Sequence, residues 1–236
     1  VLPQVKGVVL SDYGSGTITD KLLGQIFAYC QEHNIPTIVD SRYDILRFKT
    51  VDYIKQNDAE LSAAIGRDLA TEEELVQGGC ELLVKMSAKG ALITRGEDGM
   101  SLFQIISPQE VADYLKSQEA SGSGEAGQFR EGLTVKLVVK RQTGRLSVVQ
   151  ELISYQDRDI LVSHIPVTDK SEVYDVSGAG DTCVATVILG LAAGLEPLLA
   201  CQLSNEASGI AVRKMGTSVV YAQELEARFR QLGYEA

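Results

Sequence analysis

The densest chemistry in this 236-residue chain lies in Asp175-Val176-Ser177-Gly178-Ala179-Gly180-Asp181-Thr182, which runs into an apolar segment from Cys183 to Leu195. Small residues ahead of an apolar run of helical length predict a tight loop feeding a helix N-terminus. Glycine takes whatever φ such a bend needs and lets the backbone come close to a ligand. The first N–H groups of a helix have no internal partner and sit at the positive end of its dipole. The bend is therefore an anion site. Asp181 falls in the first helical turn, where its charge would repel a bound anion. That placement makes sense if the carboxylate faces a hydroxyl that must attack the anion. A base, a hydroxyl and a cradled phosphate together describe phosphoryl transfer. The competing reading is a tight glycine turn capped by Asp, with no chemistry attached.

The elements that would hold this loop follow from the pattern before it. Val5 to Leu10 reads as a buried strand ending in the loop Ser11-Asp12-Tyr13-Gly14-Ser15-Gly16. Thr19 or Asp20 caps a helix over Lys21 to His33, with Leu22, Leu23, Ile26, Phe27 and Cys30 on one face. Ile35 to Val39 is the next strand, ending in Asp40-Ser41-Arg42. This βαβ rhythm predicts a parallel sheet with right-handed crossovers, whose ligands sit beyond the C-terminal strand ends, where Asp12 and Asp40 fall. Val51 to Lys55 is a third strand. Asn57-Asp58-Ala59-Glu60 then opens a helix to Ile65, and Thr71-x-x-Glu74 opens another to about Ala88, with Leu75, Cys80, Leu83 and Val84 toward the core. Ala91 to Thr94 and Met100 to Ile105 flank Asp98-Gly99, a hairpin signal.

From Gln104 to Ser171 the rhythm lapses. Ala120 to Gly127 reads as a flexible loop rich in Ser, Gly and Glu. Thr134 to Lys140 and Arg145 to Gln150 alternate around Gln142-Thr143-Gly144 as a hairpin, with local positive charge from Lys136, Lys140, Arg141 and Arg145. Ile160 to Ile165 is one more strand. Past the Gly-Ala-Gly loop, Asp181 to Leu195 predicts a buried helix, and Pro197 starts another running to about Met215. Gly216 stops it, and Glu224 to Leu232 closes the chain as a helix.

Composition narrows the functional classes. A hydrophobic content of 44% supports a large core, and a net charge of -10 argues against nucleic acid or an anionic membrane as the main partner. No apolar run reaches the roughly 20 residues of a membrane span. No signal-peptide pattern opens the chain, so the cytoplasm is the expected compartment. Cys30, Cys80, Cys183 and Cys201 lack metal-ligand spacing and read as reduced thiols. Two histidines, His33 and His164, argue against a histidine-based metal site.

The octapeptide Asp175 to Thr182 resembles the signature of the ribokinase-like (PfkB) carbohydrate kinases, and further motifs follow in the family's order. The resemblance implies a three-layer α/β/α fold with a mostly parallel central sheet. Here it would be a single domain over residues 1–236, truncated at its N-terminus, with an inserted hairpin region at about 106–170. It implies ATP and Mg²⁺, with K⁺ as a further ion, and a sugar or sugar phosphate as acceptor. Asp181 would be the base, and the amides of Gly178, Ala179 and Gly180 would hold the transferring phosphoryl group.

Other roles come by the same resemblance. Asn57 and Glu60 match an Asn-x-x-Glu motif in which Asn meets nucleotide phosphates and Glu holds Mg²⁺ through water. A simple capping box is the alternative. Thr94, Gly96 and Gly99 match a segment against the ribose and phosphates of ATP, where a plain hairpin would look the same. Asn205 and Ser208 fall where the family lines the adenine pocket, or they serve helix packing with Ala200, Ser204, Ala207 and Ala211. Asp175, Ser177 and Ser218 match a monovalent-cation site, and Asp12 lies toward the sugar.

Val9 to Gly16, Arg47-Phe48, Gly99 to Leu102 and Lys214 to Ser218 are most similar to the bacterial heptose-phosphate (D-glycero-beta-D-manno-heptose 7-phosphate) kinases. Those carry Pro-Lys after the Asp40 position, where this chain has Ser41-Arg42. A complete family member has about a hundred more residues ahead of Val5, supplying first strands, lid and most sugar contacts. A fragment, a companion chain with the missing half, or a non-catalytic nucleotide-binding or subunit-interaction protein each fit that difference. The insertion could supply a homodimer contact or a lid.

Overall fold

The computed structural model describes residues 1–121, 124–126, 129–130, 132–143, 146–171 and 173–233. The chain opens with β1 (Val8–Asp12), α1 (Asp20–Glu32), β2 (Thr37–Ser41), β3 (Tyr53–Asn57), α2 (Asp58–Ile65), α3 (Glu72–Met86) and β4 (Gly90–Thr94). β1 to β4 pair in that order, all parallel. The turn through Asp98-Gly99 then reverses the chain, so β5 (Met100–Ile106) returns antiparallel to β4. After α4 (Pro108–Ser121) come β6 (Glu125–Ala126), β7 (Phe129–Arg130), β8 (Leu133–Thr143), β9 (Leu146–Tyr155) and β10 (Arg158–Ile165). They extend the sheet in the order β5-β10-β9-β8-β6, with β7 also on β8, and every pairing is antiparallel. The expected parallel character thus holds through β4, and the sheet as a whole is mixed.

Alternation along the strands sends neighbouring residues to opposite faces. Val39 and Ile54 join Leu23, Phe27, Leu61, Leu83 and Phe103 in one core, under α1, α2 and α3. Ile38 and Leu92 join Leu102, Ile165, Cys183, Val187 and Cys201 in the other, under α5 (Ala179–Ala192) and α6 (Pro197–Ala211). The result is three layers, closed by α7 (Ala222–Gln231) against α6. Both faces of β2 are covered, which is why Thr37, Ile38, Val39 and Ser41 are all buried.

The predicted caps form. Thr19 Oγ1 accepts from Leu22 N at 3.3 Å. Asn57 with Glu60, and Thr71 with Glu74, make reciprocal capping boxes at α2 and α3.

Several boundaries differ from the sequence reading. β1 begins at Val8 and β3 at Tyr53, each later than expected. Leu22 is exposed on α1, and Leu189 is 69% exposed on α5, which was expected to be buried all round. α6 ends at Ala211, short of Met215, because the chain there turns to bond the segment before the Gly-Ala-Gly loop. Val212 O accepts from the amides of Tyr174 and Asp175, and Gly216 N donates to Asp175 Oδ2.

α4 was not foreseen at all. Its signal is plain in retrospect: Ser107 Oγ accepts from Glu110 N, Glu110 Oε2 accepts from Ser107 N, and Pro108 follows the cap. The flexible loop expected at 120–127 falls partly outside the described residues, as do Gly144 and Arg145 of the expected hairpin turn. Among the described residues no helix is long and apolar enough to cross a membrane, and the four cysteines are buried and unpaired.

Candidate active site

Because β1 to β4 run parallel, their C-terminal ends lie along one edge of the sheet, and the N-terminus of α5 comes down over that edge. Between them opens a cleft of about 710 Å³ lined by Asp12, Tyr13, Asp40, Lys55, Glu60, Gly180 and Asp181, among others. Gly178 is the N-cap of α5, with φ 78°. That left-handed turn suits Gly and closes Ala179 N onto Val176 O at 3.2 Å, while Thr182 N reaches Gly178 O at 2.9 Å. Ala179's amide is therefore already committed. Within the helix the open amides of this turn are those of Gly180 and Asp181, and the Gly178 amide just ahead of it also bonds no partner among the described residues. Asp181 is exposed at the cleft mouth, and Tyr13 Oη donates to its two oxygens at 3.2 and 3.4 Å.

Lys55, which sequence reasoning overlooked, forms the cleft floor. Asp40 and Lys55 are register partners on adjacent strands, so their side chains share the α5 face. Lys55 Nζ donates to Asp40 Oδ2 at 3.0 Å and lies 4.0 Å from Glu60 Oε2, and Lys55 is only 5% exposed. A Cβ at Gly180 would stand 3.0 Å from Lys55 Nζ, so glycine is what lets the helix start settle onto the ammonium. Burial works against the charge on Lys55. The Asp40 carboxylate and its hydrogen bond outweigh that, and the ammonium titrates above its usual value. Burial raises the Asp40 carboxyl, helped by the charges of Glu60 and Asp181, by more than Lys55 lowers it. The available signal was a lysine inside a strand between Ile54 and Gln56, both buried, since a charge there demands a partner.

Asn57 and Glu60 line the cleft while also capping α2: Asn57 Oδ1 accepts from Glu60 N at 2.7 Å, and Glu60 Oε2 from Asn57 N at 2.8 Å. The two readings of this motif are compatible. Asp12 borders the cleft but is 5% exposed, with Oδ1 accepting from Gly14 N and Oδ2 from Ser41 Oγ, each at 3.1 Å. It holds the Tyr13 loop rather than pointing into open space.

Thr94, Gly96 and Gly99 lie outside the cleft lining, at the β4–β5 turn. Thr94 Oγ1 donates to Gln56 O, and Gly99 sits against the Ile165 carbonyl. Asn205 is buried and donates to Pro166 O at 2.9 Å; Ser208 Oγ donates to Ala179 O at 3.2 Å, tying α6 to the α5 start. Of the residues expected at a cation site, Asp175 bonds Ser177 but not Ser218. Its Oδ1 accepts from Ser177 N at 2.8 Å and its Oδ2 from Gly216 N at 3.1 Å, and these amides hold its carboxyl below the usual range. Ser218 Oγ reaches Ala211 O instead.

Among the described residues no group of three His, Cys, Asp or Glu side chains could hold a metal ion by itself.

The family model described as "pfkB family carbohydrate kinase" matches residues 2–118 and 152–223. Among curated relatives, the Bifunctional protein HldE of Rhodospirillum rubrum is 30% identical over 231 residues, which is 98% of this chain and 36% of the relative. The protein of the same name from Yersinia pestis (strain Pestoides F) is 29% identical over 230 residues, 97% of this chain and 36% of the relative. The chain thus spans about a third of the length of these relatives. Among solved structures, an Arabidopsis thaliana ribokinase complexed with ribose and ATP aligns over 98% of this chain and 57% of its own, at TM-score 0.61 and 16% identity. Phosphofructokinase-2 from Escherichia coli in complex with potassium aligns over 99% of this chain and 60% of its own, at TM-score 0.58 and 17% identity. At these identities the structures speak for the ribokinase-like fold. The family match reaches from before β1 into α4 and from within β9 to the start of α7, so it takes in every strand end and helix start around the cleft: the chain belongs to the pfkB family of carbohydrate kinases.

Proposed function

We propose that this chain, as one ribokinase-like domain with an insertion at about 106–170, carries the ATP-binding and catalytic portion of a carbohydrate kinase. The acceptor is a hydroxyl of a sugar or sugar phosphate. The observation that carries the reading is the meeting of three groups at one helix start: open amides, a buried ammonium beside Gly180, and the exposed Asp181 carboxylate. The gap between the two matched segments of the family model, 119–151, falls within the proposed insertion.

In this mechanism the amides of Gly180 and Asp181 hold the γ-phosphoryl oxygens, and Lys55 neutralises charge beneath them. Asp181 takes the proton of the attacking hydroxyl. The new bond joins that oxygen to the γ-phosphorus, the bond to the β–γ bridging oxygen breaks, and ADP departs with the electron pair. Asn57 meets the phosphates, and Glu60 would hold magnesium through water. Bound magnesium would supply charge neutralisation on the phosphates. Asp175, with Ser177 and neighbouring carbonyls, suits K⁺, and Ser218 would have to turn from Ala211 to join them. Thr94, Gly96 and Gly99 would meet ATP only beyond the described cleft, and Asn205 and Ser208 would support the adenine side by tying down Pro166 and the α5 start.

The ribokinase neighbour bound to ribose and ATP and the phosphofructokinase bound to potassium support ATP, sugar and monovalent-ion use by this chain. Arg42 at the cleft supports an anionic acceptor, such as a heptose phosphate. The test is ATP turnover by the full-length gene product that carries this chain, against a panel of neutral sugars and sugar phosphates. ADP release above background with at least one acceptor is expected; none with any acceptor would overturn the reading.

A further inference from the structure

The Tyr13 phenol donates to both oxygens of Asp181, across 168 positions of sequence. No other hydrogen bond reaches that carboxylate among the described residues. Asp181 sits exposed in the first turn of α5, where a short side chain would otherwise sample several rotamers. Tyr13 is itself 59% exposed, so burial does not account for where its ring stands.

Its backbone does account for it. The buried Asp12 carboxylate clamps the turn after it by accepting from Gly14 N and ties it to β2 through Ser41 Oγ. Arg42 N donates to Asp12 O at 3.1 Å, locking the same loop to the chain beyond β2. The Tyr43 ring backs the turn at Gly14. A buried carboxylate, a serine and two backbone amides are thus spent on holding one exposed phenol over the cleft.

Resting on the kinase reading above, we propose that Tyr13 is a positioning residue for Asp181. Its phenol selects the carboxylate rotamer that faces the acceptor hydroxyl, and Asp12 acts through Tyr13 rather than on substrate. A tyrosine suits this work because it fixes only two side-chain torsions to deliver a rigid donor. No bond is made or broken by Tyr13. It keeps its proton while Asp181 accepts the one from the acceptor. The negative charge of Asp181, with some burial, raises the ionisation of the Tyr13 phenol above the usual 10.0, with a smaller contribution from Asp40.

The experiment is a double-mutant cycle on the full-length product with Tyr13→Phe and Asp181→Asn, joined to a pH titration of ¹³Cζ-labelled tyrosine by NMR. Tyr13→Phe alone should lower kcat about tenfold, the loss expected for one hydrogen bond to a charged group, with KM for ATP unchanged. In the Asp181→Asn background the same change should cost less than about twofold, since coupled residues do not add. The Tyr13 phenol should titrate above free tyrosine in the wild type and fall back toward it in Asp181→Asn. Equal losses in both backgrounds, an unaltered kcat in Tyr13→Phe, or a Tyr13 titration indifferent to Asp181→Asn would each overturn this proposal while leaving the kinase reading intact. Wild-type protein that transfers phosphate to no acceptor would overturn the kinase reading and this proposal with it.

Discussion

The two halves of the sheet handle buried polar groups in opposite ways. In the parallel half every strand ends on the same side, so Asp12, Asp40 and Lys55 gather at one edge beside an open cleft. In the antiparallel half strands end alternately, and the polar groups pair off locally. Gln150 Nε2 donates to Ser163 Oγ at 2.9 Å, and Asp159 takes Ser154 and Lys136, each at 2.6 Å.

Beside this half lies a second buried ionic cluster. Glu206, 3% exposed, accepts from Arg228 Nε at 2.8 Å and Thr168 Oγ1 at 2.6 Å, and Asp169 meets Arg213 at 3.2 Å. That cluster is closed on itself and joins α6, α7 and the segment after β10. The Lys55–Asp40 pair has the same burial but opens onto a cavity. Burial of a charge alone therefore says little about function; what matters is whether a ligand can replace the partner.

The sharpest way to break the comparison is to break both clusters. Lys55→Met and Glu206→Gln each remove one member of a buried pair, and each should lower unfolding free energy by about 3 kcal/mol in urea melts. Only Lys55→Met should also abolish ATP turnover at temperatures where both variants stay folded. Equal loss of turnover in the two would erase the distinction.

The Lys55 pair also has a pH signature. The folded-state value of Lys55 is raised above its usual 10.5, so its stabilisation is complete below that pH and lost as pH rises beyond it. Alkaline unfolding should therefore be less steep in Lys55→Met.

A smaller effect is expected at the bend. Gly178→Ala forces a side chain into a left-handed turn and toward Thr217 Cγ2, costing about 1–2 kcal/mol by thermal melts and weakening ATP binding. The smallest belongs to the antiparallel half. Lys136→Ala removes a partly exposed pair with Asp159 and should shift stability by less than about 1 kcal/mol, with turnover unchanged.

The parallel half was also the more legible one. Its capping boxes at Asn57 and Thr71 and its Gly-Ala-Gly bend are local signals, written in four to eight adjacent residues. Lys55 and Tyr13 were not legible as site residues, because each acts on a partner that only the register of two strands or the descent of α5 brings near. That the Ala179 amide is taken up internally was not legible for a similar reason: its closure on Val176 depends on the φ of Gly178, which sequence marks as free but does not fix. In the antiparallel half α4 does carry a local start signal, Ser107-Pro108-Gln109-Glu110. The strands there were found from alternation, but their place in the sheet, continuing from β5 through β10, has no local signature.

The measurement that bears most directly on the cleft as a phosphoryl-transfer site is a side-by-side determination of ATP affinity by calorimetry and of turnover, for wild type and Asp181→Asn. The account predicts near-equal affinity and a fall in turnover of about 10²-fold or more. Near-normal turnover in the variant would contradict it, because the one acidic group at the helix start would then have no part in moving the proton.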